Sequence, residues 1–308
     1  MKENFFSKQG LILQKLAEEL LFIELDERLP KVSDFSEQFE VGRGTIQTAL
    51  KILENDNCIK LEPRGHLGTF LRDKSIPDLI KYSGSNQIQG VMPLPYSKKY
   101  EGLATGFTSE LEDLGLTLNI AFMRGSKPRI DGVKEGRYDF ALLSKCSALE
   151  ELDGDKSSSL NIAAEFGEKT YVSGHAIIFA NPEHKKLENG MKIGIDSFSN
   201  DQKKLTLAEA EGLEIDYLEL NYMHLIQHLK ARTIDATIWN MDEIDSESFN
   251  IQPLSSKGAR AYEKKMNEAV CVIKKQNRKM AYILNLLNTK KIVEIQGKVI
   301  KGDIIPKY

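Results

Sequence analysis

From Ile88 to the end of the chain, short apolar runs alternate with longer stretches of helical period. Apolar runs of strand length that alternate with helices imply a mostly parallel sheet covered on both faces. Few architectures satisfy that order. Strands are expected over residues 88–92, 116–122, 138–143, 191–195, 215–220, 235–239 and 269–274. Helices are expected over 97–114, 129–135, 199–210 and 223–232, and residues 280–287 are expected to begin a closing helical region. One stretch also repeats: 134–143 parallels 230–239, with Lys134 over Lys230, Asp139 over Asp235 and Leu143 over Trp239. The repeat suggests two similar α/β lobes, each with a helix, a turn and a buried strand.

The first quarter of the chain follows a different rule. Leu13, Leu16, Ala17, Leu20 and Leu21 mark one amphipathic helix. Ser33 precedes a short second helix that carries Phe35 and Phe39, with Glu37 near a capping position. A turn at Val41-Gly42 leads to a third helix over 43–54, with Ile46, Ala49, Leu50 and Leu53 on one face. Residues 58–62 alternate like a strand, Gly65 and Gly68 turn, and 69–71 return. Three helices and a two-stranded wing make a winged helix-turn-helix. Residues 73–87 lack periodicity and hold Pro77 and Gly84, so they are expected to link the parts. The chain thus divides into a reader over 1–72, a linker over 73–87 and an α/β domain over 88–308.

The second helix of such a turn motif enters the major groove. With Ile46 facing inward, the opposite face carries Gly44, Gln47, Thr48 and Lys51, and Arg43 sits at the helix N-terminus. Gln and Thr can read base edges, while Arg and Lys reach phosphate or guanine. Arg64 and His66 fall at the wing tip. Charge alone does not announce a nucleic-acid partner. The whole chain has 42 basic and 45 acidic residues, and 1–75 hold 11 against 13. Many of those acids (Glu18, Glu19, Glu24, Asp26, Glu27) lie in the first helix and its exit. One recognition helix reads only a half-site, so a homodimer on an operator in double-stranded DNA is expected.

Other classes are set aside by composition. Three widely spaced cysteines, Cys58, Cys146 and Cys271, exclude a disulfide framework and a cysteine-rich zinc site, and suit a reducing cytoplasm. No window of eighteen uncharged apolar residues occurs, so no membrane partner is expected. Met1-Lys2-Glu3-Asn4 opens no secretory signal.

The order of residues in the reader resembles the GntR family of bacterial repressors. Leu29-Pro30, then Ser33-Asp34-Phe35-Ser36-Glu37-Gln38-Phe39, then Arg43 through Glu54, closing on Gly68-Thr69-Phe70-Leu71, carry the likeness over about 45 residues. The resemblance implies that Arg43, Thr45, Gln47 and Arg64 occupy DNA-contacting positions. The chain departs from the family pattern in three places. Gly42 stands where a serine cap is usual, Gln47 where arginine is usual, and His66-Leu67-Gly68 replaces a basic wing tip. Fewer positive charges mean fewer phosphate contacts and a shallower salt dependence.

The remainder resembles the YhfZ-type regulators in Met92-Pro93-Leu94-Pro95-Tyr96, Tyr100-Glu101-Gly102-Leu103-Ala104, Met123-Arg124-Gly125 and Ile238-Trp239-Asn240. The resemblance implies a GntR-like reader joined to a two-lobed α/β domain of type 2 periplasmic-binding-protein architecture, with an effector in the interlobe cleft. Ligands of open α/β sheets bind beyond the carboxyl ends of the strands. The residues there are Pro93, Leu94, Pro95, Tyr96 and Ser97, then Arg124, then Ser144, then Asp196, Ser199, Asn200, Asp201 and Gln202, then Trp239 and Asn240. Arg124 and two helix N-termini favour a small anionic metabolite. Tyr171 and His175 sit on an expected crossing between lobes, over 170–180.

Catalysis is not indicated. His224 and His228 have a zinc-compatible spacing but no glutamate between them and no obvious third ligand. No nucleophile elbow, phosphate-binding lysine loop or dinucleotide turn occurs, and no cofactor is implied. The competing reading is a transferase or dehydratase built on the two-lobed domain, with the reader as an accessory.

Overall fold

The computed structural model describes residues 8–84, 86–154, 159–244 and 249–308. The opening tetrapeptide, from which no secretory signal was expected, lies outside them. The chain divides into two compact units, Met1–Ile88 with Leu111–Thr117, and Gln89–Glu110 with Leu118–Tyr308.

The first unit contains α1 (Lys8–Leu21), α2 (Val32–Gln38), α3 (Arg43–Asn55), β1 (Ile59–Pro63), β2 (Thr69–Lys74) and α4 (Ile76–Tyr82). Helix α1 buries Ile12, Leu16, Ala17, Leu20 and Leu21, and α3 answers with Ile46, Ala49 and Leu53. Strands β1 and β2 pair antiparallel, Leu61 facing Leu71 and Pro63 facing Thr69, around one 3-10 turn at Gly65–Leu67. Helix α2 begins at Val32, two residues before the start expected after Ser33. The Lys31 backbone N–H donates to Asp34 Oδ2 at 2.9 Å, so Asp34 does the reciprocal capping expected of Glu37. The stretch expected to be aperiodic carries α4. Seven residues are too few to display a period, and Pro77 falls in the first turn, where proline is tolerated. The Ser75 hydroxyl caps the helix at Asp78 N, and Leu79 and Ile80 are buried.

The second unit continues with β3 (Gln87–Met92), α5 (Lys98–Asp113), β4 (Thr117–Phe122), α6 (Ser126–Glu135), β5 (Phe140–Ser144), α7 (Lys145–Gly154), β6 (Leu160–Glu165) and β7 (His175–Phe179). Then come β8 (Lys192–Ile195), α8 (Asn200–Glu209), β9 (Asp216–Glu219), α9 (Tyr222–Lys230), β10 (Ala236–Asn240) and β11 (Asn250–Pro253). The chain closes with α10 (Lys257–Met266), β12 (Ala269–Lys274), α11 (Arg278–Leu286) and α12 (Thr289–Lys301). Two five-stranded sheets result, ordered β4-β3-β5-β12-β6 and β9-β8-β10-β7-β11. Each forms one lobe. The sheets are mixed rather than mostly parallel. β3 and β5 run parallel, as do β8, β9 and β10, but β12 and β6, and β7 and β11, add antiparallel. The reason is topological: β7 and β12 each enter a lobe from the other lobe, and such a strand comes in against the local direction.

The sequence repeat corresponds to a structural one. β5 and β10 are both central, and both lie parallel to one neighbour and antiparallel to the other. Asp139 and Asp235 play matching parts before them. Asp139 Oδ2 accepts from Gln89 N at 2.8 Å, and Asp235 Oδ2 accepts from Lys192 N at 2.7 Å. The returning bonds, Asp139 N to Gln89 O and Asp235 N to Lys192 O, are both 2.7 Å. Val91, Ala141, Leu143, Val270 and Val272 pack one lobe, and Ile177, Ile193 and Ile238 the other.

Two segments cross between the lobes, one after β6 and one before β12. They are bonded to each other, Tyr171 N to Asn267 O at 2.8 Å and Ala269 N to Thr170 Oγ1 at 3.0 Å. Helix α12 closes the fold on α5. A Cβ on Gly102 would meet Gln296 Cα at 2.8 Å, and one on Gly106 would meet Ile292 O at 2.9 Å, so only glycine permits this approach.

Candidate functional site

On the reader, Arg43, Gly44, Gln47, Thr48 and Lys51 are exposed along α3, Thr45 is half-buried, and Ile46 is fully buried behind them. Gly42 caps the helix without a side chain, leaving its first N–H groups outward. The Thr48 hydroxyl donates back to Gly44 O at 2.9 Å, so only its lone pairs and methyl remain for a partner. Gln47 and Lys51 share a groove of about 760 Å³ with Arg28, Lys31 and Pro63. His66 is exposed in the turn of the wing. Arg64 is partly engaged: its Nε donates to Glu62 Oε1 at 3.2 Å, and its guanidinium lies 4.6 Å from the Phe70 ring centre. Glu62 also pairs with Arg72 at 2.6 Å. These arginines hold the Glu62 carboxyl below its usual pKa. The wing therefore carries less free positive charge than its arginine count suggests.

In the α/β domain the two lobes meet along a cleft that is closed. Arg124, just past β4, reaches across to Asp196, just past β8. Ser147 Oγ on α7 donates to Asp201 Oδ1 on α8 at 2.9 Å, and Asn200 Nδ2 donates to Glu150 Oε2 at 2.6 Å. Lys204 also pairs with Glu150. Between the lobes lies a cavity of about 70 Å³. Of the residues expected there, Pro93, Leu94, Tyr96, Arg124, Ser199, Asn200, Asp201, Gln202 and Asn240 line it. Asp196 lines a smaller adjoining recess with Arg124 and Tyr222.

The other expected residues do not line the cavity. Ser97 turns inward to accept from Tyr100 N at 3.4 Å, holding the start of α5. Ser144 caps α7, accepting from Ser147 N at 3.1 Å, and its hydroxyl donates to Asp201. Pro95 shapes the loop before α5 without joining the lining. Trp239 lies behind the wall, stacked on Tyr222 at 3.9 Å and 4° between planes, and Tyr222 is the ring that meets the cavity. Arg124, expected to be free for an anion, is given to Asp196, a carboxylate 1% exposed that also accepts from Tyr222 N at 2.9 Å. Outside the cleft, His228 Nδ1 pairs with Thr233 Oγ1 at 2.8 Å.

Three lining residues went unread as site residues and matter most. Arg129, only 4% exposed, sits on α6 among Ile130 and Val133. Its two terminal nitrogens donate to Met123 O at 3.2 Å and Tyr171 Oη at 3.1 Å, both neutral acceptors, and its Nε has no partner among the described residues. Tyr171 supplies that hydroxyl from the first crossing, and burial raises its phenol pKa, keeping it neutral. His175, at the start of β7, has a buried Nδ1 with no partner among the described residues, and burial lowers its pKa to about 4. A legible signal existed for Arg129: a basic residue on the apolar face of a helix. It was obscured because the helix was expected to begin at 129, whereas it begins at Ser126.

Residues 76–308 match the family described as the YhfZ C-terminal domain, and residues 25–71 match a helix-turn-helix domain. The chain is 29% identical over 312 residues to the protein YhfZ of Escherichia coli (strain K12), covering all of both. It is similar to the crystal structure of YhfZ from Shigella flexneri at TM-score 0.61 and 29% identity, over 75% of this chain and 97% of that one. It is also similar to the substrate-binding protein of a methionine transporter from Streptococcus pneumoniae at TM-score 0.51 and 13% identity, over 73% and 96%. At that identity the last likeness bears on the fold alone. The chain thus joins a helix-turn-helix reader to a two-lobed α/β domain of the kind seen in periplasmic binding proteins.

Proposed function

The chain belongs to the YhfZ C-terminal domain family, and from that premise we propose that it is a ligand-responsive transcriptional regulator of GntR type. It acts in the cytoplasm as a homodimer, reading an operator in double-stranded DNA through α3 and the wing. Arg43, Gly44, Thr45, Gln47, Thr48 and Lys51 meet the DNA, with Arg64 and His66 at the wing. The matched helix-turn-helix domain and the outward face of α3 support that half.

The sensing half rests on one observation above all. Arg129 is a buried guanidinium whose hydrogen-bond acceptors among the described residues are neutral, and it opens onto a cavity between two lobes. A charge removed from water is costly unless a counter-charge meets it. A ligand with an anionic group answers that need. Arg124, tied to Asp196 across the cleft, serves instead as a latch between lobes. The ligand shifts the lobes between arrangements, and the dimer's two readers change their separation. Such coupling requires unequal ligand affinity in the two states.

Fluorescence anisotropy tests the reading. The full chain is titrated onto labelled DNA from upstream of its own gene, with scrambled DNA as control, over a range of salt. Binding about a thousandfold tighter than the control at physiological salt is the expected result. Equal, weak, salt-sensitive binding to both DNAs contradicts a specific operator there. Turnover of a metabolite by the full chain is the outcome that an enzyme would give and a sensor would not.

A further inference from the structure

The cavity wall carries two opposite charges, each held by neutral groups. On one side is Arg129, with Met123 O, Tyr171 Oη and an unpartnered Nε. On the other is Asp201, which accepts from Ser147 Oγ at 2.9 Å and from the Ser144 hydroxyl. Burial raises the Asp201 carboxyl pKa, while the two serine hydroxyls and the charge of Arg129 act in the opposite direction. His175 adds no charge near neutral pH but presents a buried, unpartnered Nδ1 to the same wall.

This pairing restricts the chemistry of any occupant. A plain anion meets Arg129 and is repelled by Asp201, and a plain amine does the reverse. A molecule that bears both charges on one short frame satisfies both groups. We propose that the cleft takes a small zwitterion of the α-amino acid class, with its carboxylate on Arg129 and its ammonium on Asp201. The proposal rests on the cleft being a ligand site.

Isothermal titration calorimetry on the full chain tests it. The panel is the common amino acids in both hands, the matched 2-hydroxy acids, the matched primary amines, succinate and inorganic phosphate. The expected result is an amino acid that binds, with the analogue lacking either charged group about a hundredfold weaker or more. Asp201→Asn is expected to weaken the amino acid but not the matched hydroxy acid, whereas Arg129→Gln weakens both. A merely structural role for Asp201 would lower both ligands alike, which overturns the assignment. If no amino acid binds, the proposal fails whatever else does. Succinate or phosphate binding that Arg129→Gln abolishes would then leave the cleft as a ligand site of another class. The absence of any binder across the panel would remove the support for both.

Discussion

Arg129 is a guanidinium held out of water by neutral oxygens, and the proposed binding of an anionic group rests on it. Its neighbour His175 yields a prediction about pH. The imidazole titrates near 6.5 when the chain is unfolded and near 4 in the folded protein. Above pH 6.5 it is neutral in both states and favours neither. Between 6.5 and 4 the unfolded chain binds the extra proton, so stability falls as pH falls through that window. Thermal melts from pH 7 to 5 are therefore expected to decline less for His175→Gln than for the unaltered chain. Parallel curves would place the imidazole in water. Residues at this scale were only partly legible in the sequence. Strand ends can be read from apolar runs, so Tyr96, Arg124, Asn200, Asp201 and Asn240 could be named. Arg129, Tyr171 and His175 lie inside a helix or on a crossing, where only the folded chain brings them to the cavity.

Among elements, the approach of α5 to α12 depends on two glycines that sequence periodicity does not single out. Gly106→Ala forces a methyl to within 2.9 Å of Ile292 O and is expected to cost about 1–3 kcal/mol. Gly297 on α12 faces open space, so Gly297→Ala is expected to stabilise by about 0.5–1 kcal/mol. Opposite signs in denaturant titrations support the close approach, and two changes of like sign contradict it. Helix α3 yields a second contrast. Gln47→Ala is expected to weaken specific DNA more than scrambled DNA. Arg64→Ala is expected to weaken both and flatten the salt dependence by at most about one unit, because Glu62 already shares its charge. Equal loss on all sequences from Gln47→Ala would remove that side chain from base reading. Elements with a full apolar period were legible in the sequence, as was the 134–143 repeat. Helix α4, with seven residues, and β11, with four, offer too little pattern, and both were missed. Helices α7 and α10 and strands β6 and β7 were missed as well; α10 buries only Ala259 and Met266, too few apolar positions to mark a face. The antiparallel strands were missed for another reason: direction depends on which lobe the chain comes from, and local sequence does not carry that.

The whole molecule joins a helix-turn-helix reader to a cleft whose lobes are pinned by Arg124 with Asp196, Ser147 with Asp201 and Glu150 with Asn200. Reader and lobes were legible as separate patterns, because one has helical spacing with a hairpin and the other alternates strand and helix. The pinning was not, since each pair lies more than 45 residues apart in the chain. In the proposed mechanism the state of the cleft sets affinity for DNA. A double variant, Ser147→Cys with Asp201→Cys, tests this, because a bond between those positions, whose side chains meet across the cleft, ties one lobe to the other. Operator affinity is measured by anisotropy on the oxidised and the reduced forms of the same preparation. A difference of about 5- to 150-fold between them is expected, the range of ordinary allosteric coupling. Equal affinity in the two forms, with the bond verified, would contradict it.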